Sequence, residues 1–237
     1  MLATPSFLCP VCGGHEADPA LTLVDRFAPP EERAPFPLAR CRDCGLLRLH
    51  PPPDARTLRE AYTAFYAPHT RPGLSGRAKG LLERWSVRRL SAHFATPKRV
   101  LDIGCATGDL LLAIRDAGNE RVVGVEPVAA AVAVARSRGL TIHHATIEEA
   151  GFSDESFDTV VLSHTLEHVP DPGATLREVR RVLAPGGAVI LWLPNVESLE
   201  ARLLKTWWIG YDAPRHLTVF DVSTLTRALE ASGLRVK

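Results

Sequence analysis

Short apolar runs alternate with helical patterns through the second half of the chain, and few folds are compatible with this alternation. The helical patterns are bounded by residues that favour helix ends, such as Asp171-Pro172 before the third pattern and Gly118 and Gly139 after the first two. Strands that alternate with helices form a parallel, doubly wound sheet with right-handed crossovers. We therefore predict an α/β fold with strands at Arg99–Ile103, Val122–Glu126, Thr141–Ala145, Thr159–Ser163 and Ala188–Leu193, and helices at Leu110–Ala117, Val128–Ser137 and Gly173–Leu183.

Length and composition are those of an ordinary globular protein. A chain of 237 residues suits one large domain with a small appendage. Hydrophobic residues make up 46% and charged residues 23%, which excludes collagen-like, coiled-coil and wholly disordered chains. The net charge of +1 argues against a general nucleic-acid binder, because such proteins have an overall basic field. We expect a cytoplasmic protein, because the sequence shows neither a secretory signal nor an apolar run long enough to span a membrane.

Four of the five cysteines form two matched pairs with two residues between the members of each pair. This spacing places two thiolates on one side of a tight turn, and two such turns complete the tetrahedral site that structural zinc prefers. A segment as small as residues 1–50 usually needs a metal or disulfides for stability. A thioredoxin-like redox pair is the alternative, although two matched pairs without a βαβ context argue against it. The sequence therefore predicts a zinc ribbon over residues 1–50, with Zn²⁺ bound by Cys9, Cys12, Cys41 and Cys44.

Residues 51–96 are predicted to form a helical connector to a domain at 97–237. Three prolines open the connector, and helices are predicted at Thr57–Phe65 and Leu81–Phe94. Between residues 71 and 99 the chain carries eight lysines and arginines and one acid. A segment of this kind is more often a solvated basic helix than a phosphate-binding surface.

The turn after the first predicted strand has the composition of a ligand-binding loop. In a doubly wound sheet, ligands bind beyond the carboxyl ends of the strands. Gly104 and Gly108 allow a tight turn, but their spacing differs from the G-x-G-x-x-G of dinucleotide-binding proteins. Asp102 would repel a pyrophosphate and attract an ammonium group. Glu126, at the end of the second predicted strand, lies where a carboxylate can accept hydrogen bonds from both hydroxyls of a ribose.

Four segments stand in a characteristic order and spacing: VLDIGCATGDLL, VVGVEP, FSDESFDTVVLSHTLEHVPDP and LREVRRVLAPGGAVILWLPN. They resemble the class I S-adenosylmethionine-dependent methyltransferases, and the resemblance covers residues 97–237. It implies a Rossmann-like methyltransferase sheet with S-adenosylmethionine as the cofactor. The implied donor contacts are Asp102, Gly104 and Gly108 for the methionyl part, Glu126 for the ribose, Thr146, Ile147 and Glu148 for the adenine edge, and also Cys105, Pro127 and Ser163. Ala106 stands where many relatives have glycine.

Histidines are the candidates for catalysis. The donor's sulfonium is already a good electrophile, so the protein mainly aligns the reactants, and a hydroxyl nucleophile also benefits from a histidine base. The resemblance implies that His164 faces the methyl group. His216 lies in a Tyr-x-x-Pro-Arg-His-Leu segment that resembles zinc-ribbon methyltransferases of sugars and natural products. We expect His216 to be a base or substrate contact beside Tyr211 and Arg215, with a structural role as the alternative. We expect His168 to position the backbone.

The predicted function is methyl transfer from S-adenosylmethionine to a small-molecule or sugar acceptor through oxygen or carbon. Two alternatives stay open: an RNA methyltransferase that contacts phosphates through its ribbon and connector, and a non-catalytic module that retains the donor pocket. The sequence ends where a sixth strand would begin, so the parallel sheet is expected to expose its C-terminal edge. A second copy of the chain covering this edge would form an oligomer, because unpaired edges favour association.

Overall fold

The structure, a computed structural model, describes residues 6–69, 87–94 and 98–236. The chain folds into two compact units, and neither is continuous in sequence. The cysteine unit consists of Met1–Phe65, Leu166–Leu176 and Leu193–Lys237, and the sheet unit of Tyr66–Thr165 and Arg177–Trp192. These units cut across the domains predicted at 1–50, 51–96 and 97–237, because the C-terminal segment belongs to the same unit as the cysteines.

In chain order the strands are β1 (Ala17–Val24), β2 (Pro35–Cys41), β3 (Leu47–Leu49), β4 (Val100–Ile103), β5 (Val122–Val125), β6 (Thr141–His143), β7 (Phe157–Ser163), β8 (Leu183–Trp192) and β9 (Thr218–Val219). The α-helices are α1 (Ala55–His69), α2 (Ser91–Phe94), α3 (Asp109–Asp116), α4 (Ala129–Ser137), α5 (Pro172–Val182), α6 (Leu199–Leu204) and α7 (Val222–Ala231). Within the described ranges, no helix combines the length and the apolar character needed to cross a membrane.

The sheet unit contains a five-stranded parallel sheet in the order β6-β5-β4-β7-β8. Each predicted apolar run forms a strand of this sheet, and the predicted helices occur as α3, α4 and α5, which confirms the doubly wound α/β fold. All four residues of β4 are buried, as expected for a central parallel strand. The apolar core between the sheet and the helices includes Leu111, Ile114, Val132 and Val161.

Element boundaries differ from the predicted ones mainly around β8 and the connector. β8 begins at Leu183 instead of Ala188, and its pairing with β7 is irregular between Phe157 and Thr159. The helix predicted at Thr57–Phe65 is confirmed as the longer α1. Most of the basic connector and the first half of the helix predicted at Leu81–Phe94 lie outside the described residues.

The cysteine unit contains a four-stranded antiparallel sheet in the order β1-β2-β3-β9. β9 comes from the C-terminal segment and pairs with β3 through Leu47↔Val219 and Arg48↔Thr218. Residues 1–50 hold few large apolar side chains, so distant segments supply much of the core. The buried apolar residues that pack together in this core are Leu23, Leu38, Leu47 and Leu49 from the N-terminal part and Ala201, Trp208, Tyr211, Ala213, Leu217 and Val219 from the C-terminal part.

A buried ion pair also joins the two parts of this unit. The side chain of Arg215 is only 1% exposed, and its guanidinium donates hydrogen bonds of 2.5–3.1 Å to the carboxylates of Asp25 and Asp212. The guanidinium carbon also lies 4.8 Å from the centre of the Phe27 ring, within the range of a cation–π contact. One guanidinium thus binds two carboxylates, so the group carries a net charge of −1, and Arg215 acts as a structural residue of this unit.

Replacing Arg215 should destabilise the cysteine unit. Arg215→Ala leaves two aspartates without their cation in a buried position, and we expect the free energy of unfolding to fall by about 3–5 kcal/mol. Arg42→Ala is the matched control, because Arg42 binds Glu16 and Asp18 at the surface, where ion pairs contribute little. Chemical denaturation followed by circular dichroism measures both losses. Equal losses for the two variants would contradict a special role for the buried pair.

Candidate functional site

The turn that follows β4 is shaped by two glycines with left-handed backbone. Gly104 has φ +71° and Gly108 has φ +81°, a conformation that side chains other than glycine disfavour. A Cβ atom at Gly104 would lie 2.6 Å from Oγ1 of Thr165, and one at Gly108 would collide with the side chain of Leu140. Only glycine therefore fits at these two positions of the turn.

Ala106, between the two glycines, also has a positive φ of +47°. Left-handed backbone costs a residue with a Cβ atom about 1–2 kcal/mol. The backbone N–H of Ala106 donates a hydrogen bond of 2.9 Å to Oε2 of Glu126, which holds the turn in this conformation. The site thus accepts alanine where many relatives have glycine.

Two buried carboxylates lie at the ends of the adjacent strands β4 and β5. Asp102 is 3% exposed and Glu126 is 2% exposed. Oε1 of Glu126 accepts a hydrogen bond of 2.8 Å from the backbone N–H of Val128, so this side chain links the turn after β4 to the turn after β5. Burial raises the pKa of Glu126, although the N–H groups of Val128 and Ala106 oppose this shift.

The charges of both carboxylates affect the thiol of Cys105. Burial, together with the nearby charges of Asp102 and Glu126, raises the pKa of the Cys105 thiol. The sulfur of Cys105 is part of the apolar core, next to Gly124 of β5. The neutral thiol of Cys105 therefore fills space beneath the turn, and its backbone N–H donates to the carbonyl of Val125.

The surroundings of this turn favour a positively charged ligand over a phosphate. Asp109 occupies the first turn of α3, where a phosphate would otherwise bind the helix N-terminus. Arg138 neutralises Asp109 with an ion pair of 2.6 Å. A phosphate would therefore meet Asp102 and Glu126 as like charges, whereas an ammonium or sulfonium group would be attracted.

The other predicted donor contacts also lie in the sheet unit. Ser163 is half-buried at the end of β7, and Pro127 is exposed directly after Glu126. Thr146 donates to the carboxylate of Glu149 from its backbone N–H (3.1 Å) and its hydroxyl (3.2 Å), which orders the turn after β6. Ile147 in this turn is buried. Ser163, Pro127 and the Thr146 turn thus follow the carboxyl ends of β7, β5 and β6.

The four N-terminal cysteines converge in the cysteine unit. The sulfurs of Cys9, Cys12, Cys41 and Cys44 all lie within 4.8 Å of one another, and the Cys9–Cys44 and Cys12–Cys41 pairs are 3.5 Å apart. Tetrahedral zinc with Zn–S bonds of about 2.3 Å places its sulfurs about 3.8 Å apart. Backbone N–H groups of residues 11, 12, 43 and 44 point at the sulfurs of Cys9 and Cys41. The donor set and its geometry therefore fit zinc.

The two predicted catalytic histidines occupy different units. His164 is exposed at the end of β7 in the sheet unit, with φ +52° and a backbone N–H bonded to the carbonyl of Trp192. His216 is half-buried in the cysteine unit, and its Nδ1 lies 2.9 Å from the carbonyl oxygen of Gly210. A carbonyl can only accept, so Nδ1 carries the proton and Nε2 of the neutral ring keeps a lone pair.

His168 packs against His216 with ring centres 4.6 Å apart. Its Nδ1 lies 2.9 Å from both the carbonyl oxygen of Arg215 and the hydroxyl of Tyr62. Burial, with a contribution from His216, lowers the pKa of His168 to about 4. His168 is therefore a neutral, buried ring that is part of a polar cluster.

Sequence reasoning assigned no chemical role to Tyr62 or Glu167 and gave His168 only a backbone role. The structure places all three beside His216 in the cysteine unit. Tyr62 and His216 are separated by more than 150 residues, and no local pattern connects them. The adjacent Glu167-His168 pair was the available signal, because carboxylate and imidazole often act together at sites.

Three comparisons bear on identity. Residues 77–237 match the family model described as a methyltransferase domain. An uncharacterized protein of Mycobacterium tuberculosis is 30% identical over 95% of this chain and 77% of its own length. A ubiquinone biosynthesis O-methyltransferase of Idiomarina loihiensis is 34% identical over 51% of this chain and 49% of its own. A SAM-dependent methyltransferase structure from Thermotoga maritima superposes with a TM-score of 0.55, at 26% identity over 75% of this chain and 77% of that one.

The doubly wound sheet, with carboxylates at two adjacent strand ends, defines an α/β protein of the class whose ligands bind beyond the carboxyl ends of the strands. The comparisons with known proteins identify the cofactor and the type of reaction. The chain belongs to the methyltransferase-domain family and is an S-adenosylmethionine-dependent methyltransferase.

Proposed function

We propose that this methyltransferase acts on a small-molecule or sugar acceptor through oxygen or carbon. The net charge of +1 supports this choice, because an enzyme for RNA needs a basic surface. The relative from Idiomarina loihiensis is named for an O-methylation in the synthesis of ubiquinone, a small molecule. The cytoplasmic location and the oligomer through the sheet edge stay predictions.

The observation that carries the donor assignment is the pair of buried carboxylates at the ends of β4 and β5. We assign Glu126 to the ribose, because each of its oxygens retains a second lone pair beyond the backbone bonds to Ala106 and Val128. Asp102, Gly104 and Gly108 are assigned to the methionyl part. The remaining contacts of this proposal are Cys105 and Pro127 through backbone, Thr146, Ile147 and Glu148 at the adenine edge, and Ser163.

The chain has little covalent chemistry to perform. S-adenosylmethionine supplies an activated methyl group, and the protein must hold the acceptor atom, methyl carbon and sulfur in line. A hydroxyl acceptor must also lose its proton, and we assign this task to His216, whose Nε2 keeps the lone pair. His164, exposed at the end of β7, is assigned to the methyl-donor side.

We further assign a structural zinc ion to Cys9, Cys12, Cys41 and Cys44. Four thiolates close the coordination shell, which suits a structural site and leaves no position for a substrate. The ion would join the turn before β1 to the turn between β2 and β3, and thereby stabilise a sheet that also contains β9.

Glu126→Gln should weaken the binding of S-adenosylhomocysteine, the demethylated donor. Hydrogen bonds to a charged group contribute about 1.5–3 kcal/mol, so the dissociation constant should rise roughly 10- to 160-fold. Glu120→Gln replaces an exposed glutamate of the same unit and should leave affinity unchanged. Calorimetric titration measures both. Equal affinities would refute the ribose assignment, and tight binding of NAD instead would refute the donor class.

The same titration has an expected dependence on pH. The ionised carboxylate of Glu126 accepts the ribose hydrogen bonds, and burial raises its pKa. Affinity should therefore fall on acidification, beginning above the ordinary glutamate pKa of about 4.3. In Glu126→Gln this part of the pH dependence should disappear.

His216→Gln should lower the rate of methyl transfer to a hydroxyl acceptor. Loss of a general base costs roughly 10²- to 10⁴-fold in turnover, while affinity for S-adenosylhomocysteine should stay constant. Mass spectrometry finds the acceptor first, as a gain of one CH₂ in a panel of hydroxylated metabolites and nucleotide sugars. His93→Gln changes an exposed histidine and serves as the control. Transfer only to RNA, or donor binding with no transfer to any acceptor, would overturn the proposed acceptor class.

Cys41→Ser should abolish zinc binding and loosen the cysteine unit. Elemental analysis should find one zinc per chain fewer in the variant than in the unaltered protein. Hydrogen exchange should rise in β1–β3 and β9, because one sheet contains these strands, while β4 and β5 stay protected. Cys105→Ser leaves the cluster intact and should retain the metal. Absence of zinc from the unaltered protein would end the zinc assignment.

A further inference from the structure

A second group of metal-ligating side chains lies in the cysteine unit, outside the four cysteines. One carboxylate oxygen of Glu167 and one ring nitrogen each of His168 and His216 lie within 4.8 Å of one another. Ligands at about 2.1 Å from a common ion are separated by about 3–4 Å. Side-chain shifts of less than an ångström would therefore bring all three to one cation.

Hydrogen bonds fix both rings in the tautomer that metal binding needs. Nδ1 of His168 lies 2.9 Å from the carbonyl of Arg215, and Nδ1 of His216 lies 2.9 Å from the carbonyl of Gly210. Each Nδ1 must donate, so each Nε2 presents a lone pair. A histidine that donates its other ring N–H to a backbone carbonyl is the usual arrangement at metal sites.

The charges around the cluster are compatible with a cation. Glu167 is 1% exposed and supplies a carboxylate to two imidazoles. The nearest guanidinium in sequence, that of Arg215, donates its hydrogen bonds to Asp25 and Asp212. The charge of Arg215 is therefore offset by two carboxylates, and Arg215 contributes only its carbonyl to the cluster. The backbone of Glu167 is also held, since its carbonyl accepts from the N–H groups of Leu217 and Thr218.

We propose that Glu167, His168 and His216 bind a divalent transition-metal ion, with Nε2 of each histidine as ligand. Two imidazoles and one carboxylate suit Mn²⁺, Fe²⁺, Co²⁺ or Zn²⁺ better than Ca²⁺ or Mg²⁺. Three protein ligands leave positions open, in contrast to the closed cysteine site. An oxygen atom of water or of a hydroxyl acceptor would complete the shell and become more acidic there.

Binding of the metal ion does not depend on the proposed function. The effect of the ion on catalysis does rest on it, because that effect requires the proposed hydroxyl acceptor. A cation on Nε2 takes the lone pair that proton transfer requires. His216 would then act as a base only in the protein without this ion. In the protein with the ion, His216 would be a ligand of the metal ion that activates the acceptor.

Mn²⁺ tests the site selectively, because thiolate sites prefer softer ions. The purified full-length protein, with its cysteine site loaded with zinc, is titrated with Mn²⁺ without donor or acceptor. Electron paramagnetic resonance measures the free ion, and one equivalent should be bound. His216→Gln and Glu167→Gln should each reduce Mn²⁺ affinity at least tenfold, and His93→Gln should not change it. Circular dichroism and binding of S-adenosylhomocysteine confirm that each variant is folded.

Co²⁺ provides a second readout that identifies the ligands. Cobalt bound by nitrogen and oxygen should show visible d–d bands without the thiolate-to-metal charge-transfer band of a cysteine site. If Glu167→Gln unfolds, His216→Gln decides, because this side chain is half-buried. No bound Mn²⁺, or equal affinity in His216→Gln, overturns the proposal. A chain that transfers methyl groups but binds no Mn²⁺ would overturn this inference and leave the proposed function intact.

Discussion

The carboxylate of Glu126 is the interaction that joins two turns at the carboxyl edge of the parallel sheet. It accepts the N–H of Ala106 from the turn after β4 and the N–H of Val128 from the turn after β5. These bonds hold Ala106 in left-handed backbone and link the two turns to each other. A single buried acid thus organises the part of the sheet edge to which we assign the methyl donor.

The parallel sheet could be predicted because its information is local. Each of its strands is a short apolar run, and the glycines at 104 and 108 occur where the backbone allows no Cβ atom. The antiparallel sheet is different, because β9 is two residues long and pairs with β3 across about 170 residues of chain. A strand of this length has no period to detect, and only the apolar residues that it buries with the N-terminal part reveal its role.

Adjacent residues in the Pro-Arg-His segment illustrate the limit of motif reading. His216 was expected to be a base or substrate contact with Arg215 beside it. The guanidinium of Arg215 binds the carboxylates of two half-buried aspartates, whereas its carbonyl orients His168, and His216 is oriented by Gly210. The sequence shows a polar cluster but not which atoms of each residue take part, because that depends on contacts with residues 25, 168 and 210.

The same hydrogen bonds support two chemical roles for His216, and this has a consequence for how the cluster works. A ring that donates Nδ1–H to a carbonyl offers Nε2 either to a proton or to a metal ion, but not to both. Nδ1 of the adjacent His168 likewise lies 2.9 Å from a carbonyl, that of Arg215, so its Nε2 also carries a lone pair. Proton transfer by His216 needs no second imidazole. A metal ion, in contrast, gains a second nitrogen ligand from His168, which lies beside the carboxylate of Glu167. The placement of His168 is therefore better explained by shared ligation than by proton transfer through His216 alone.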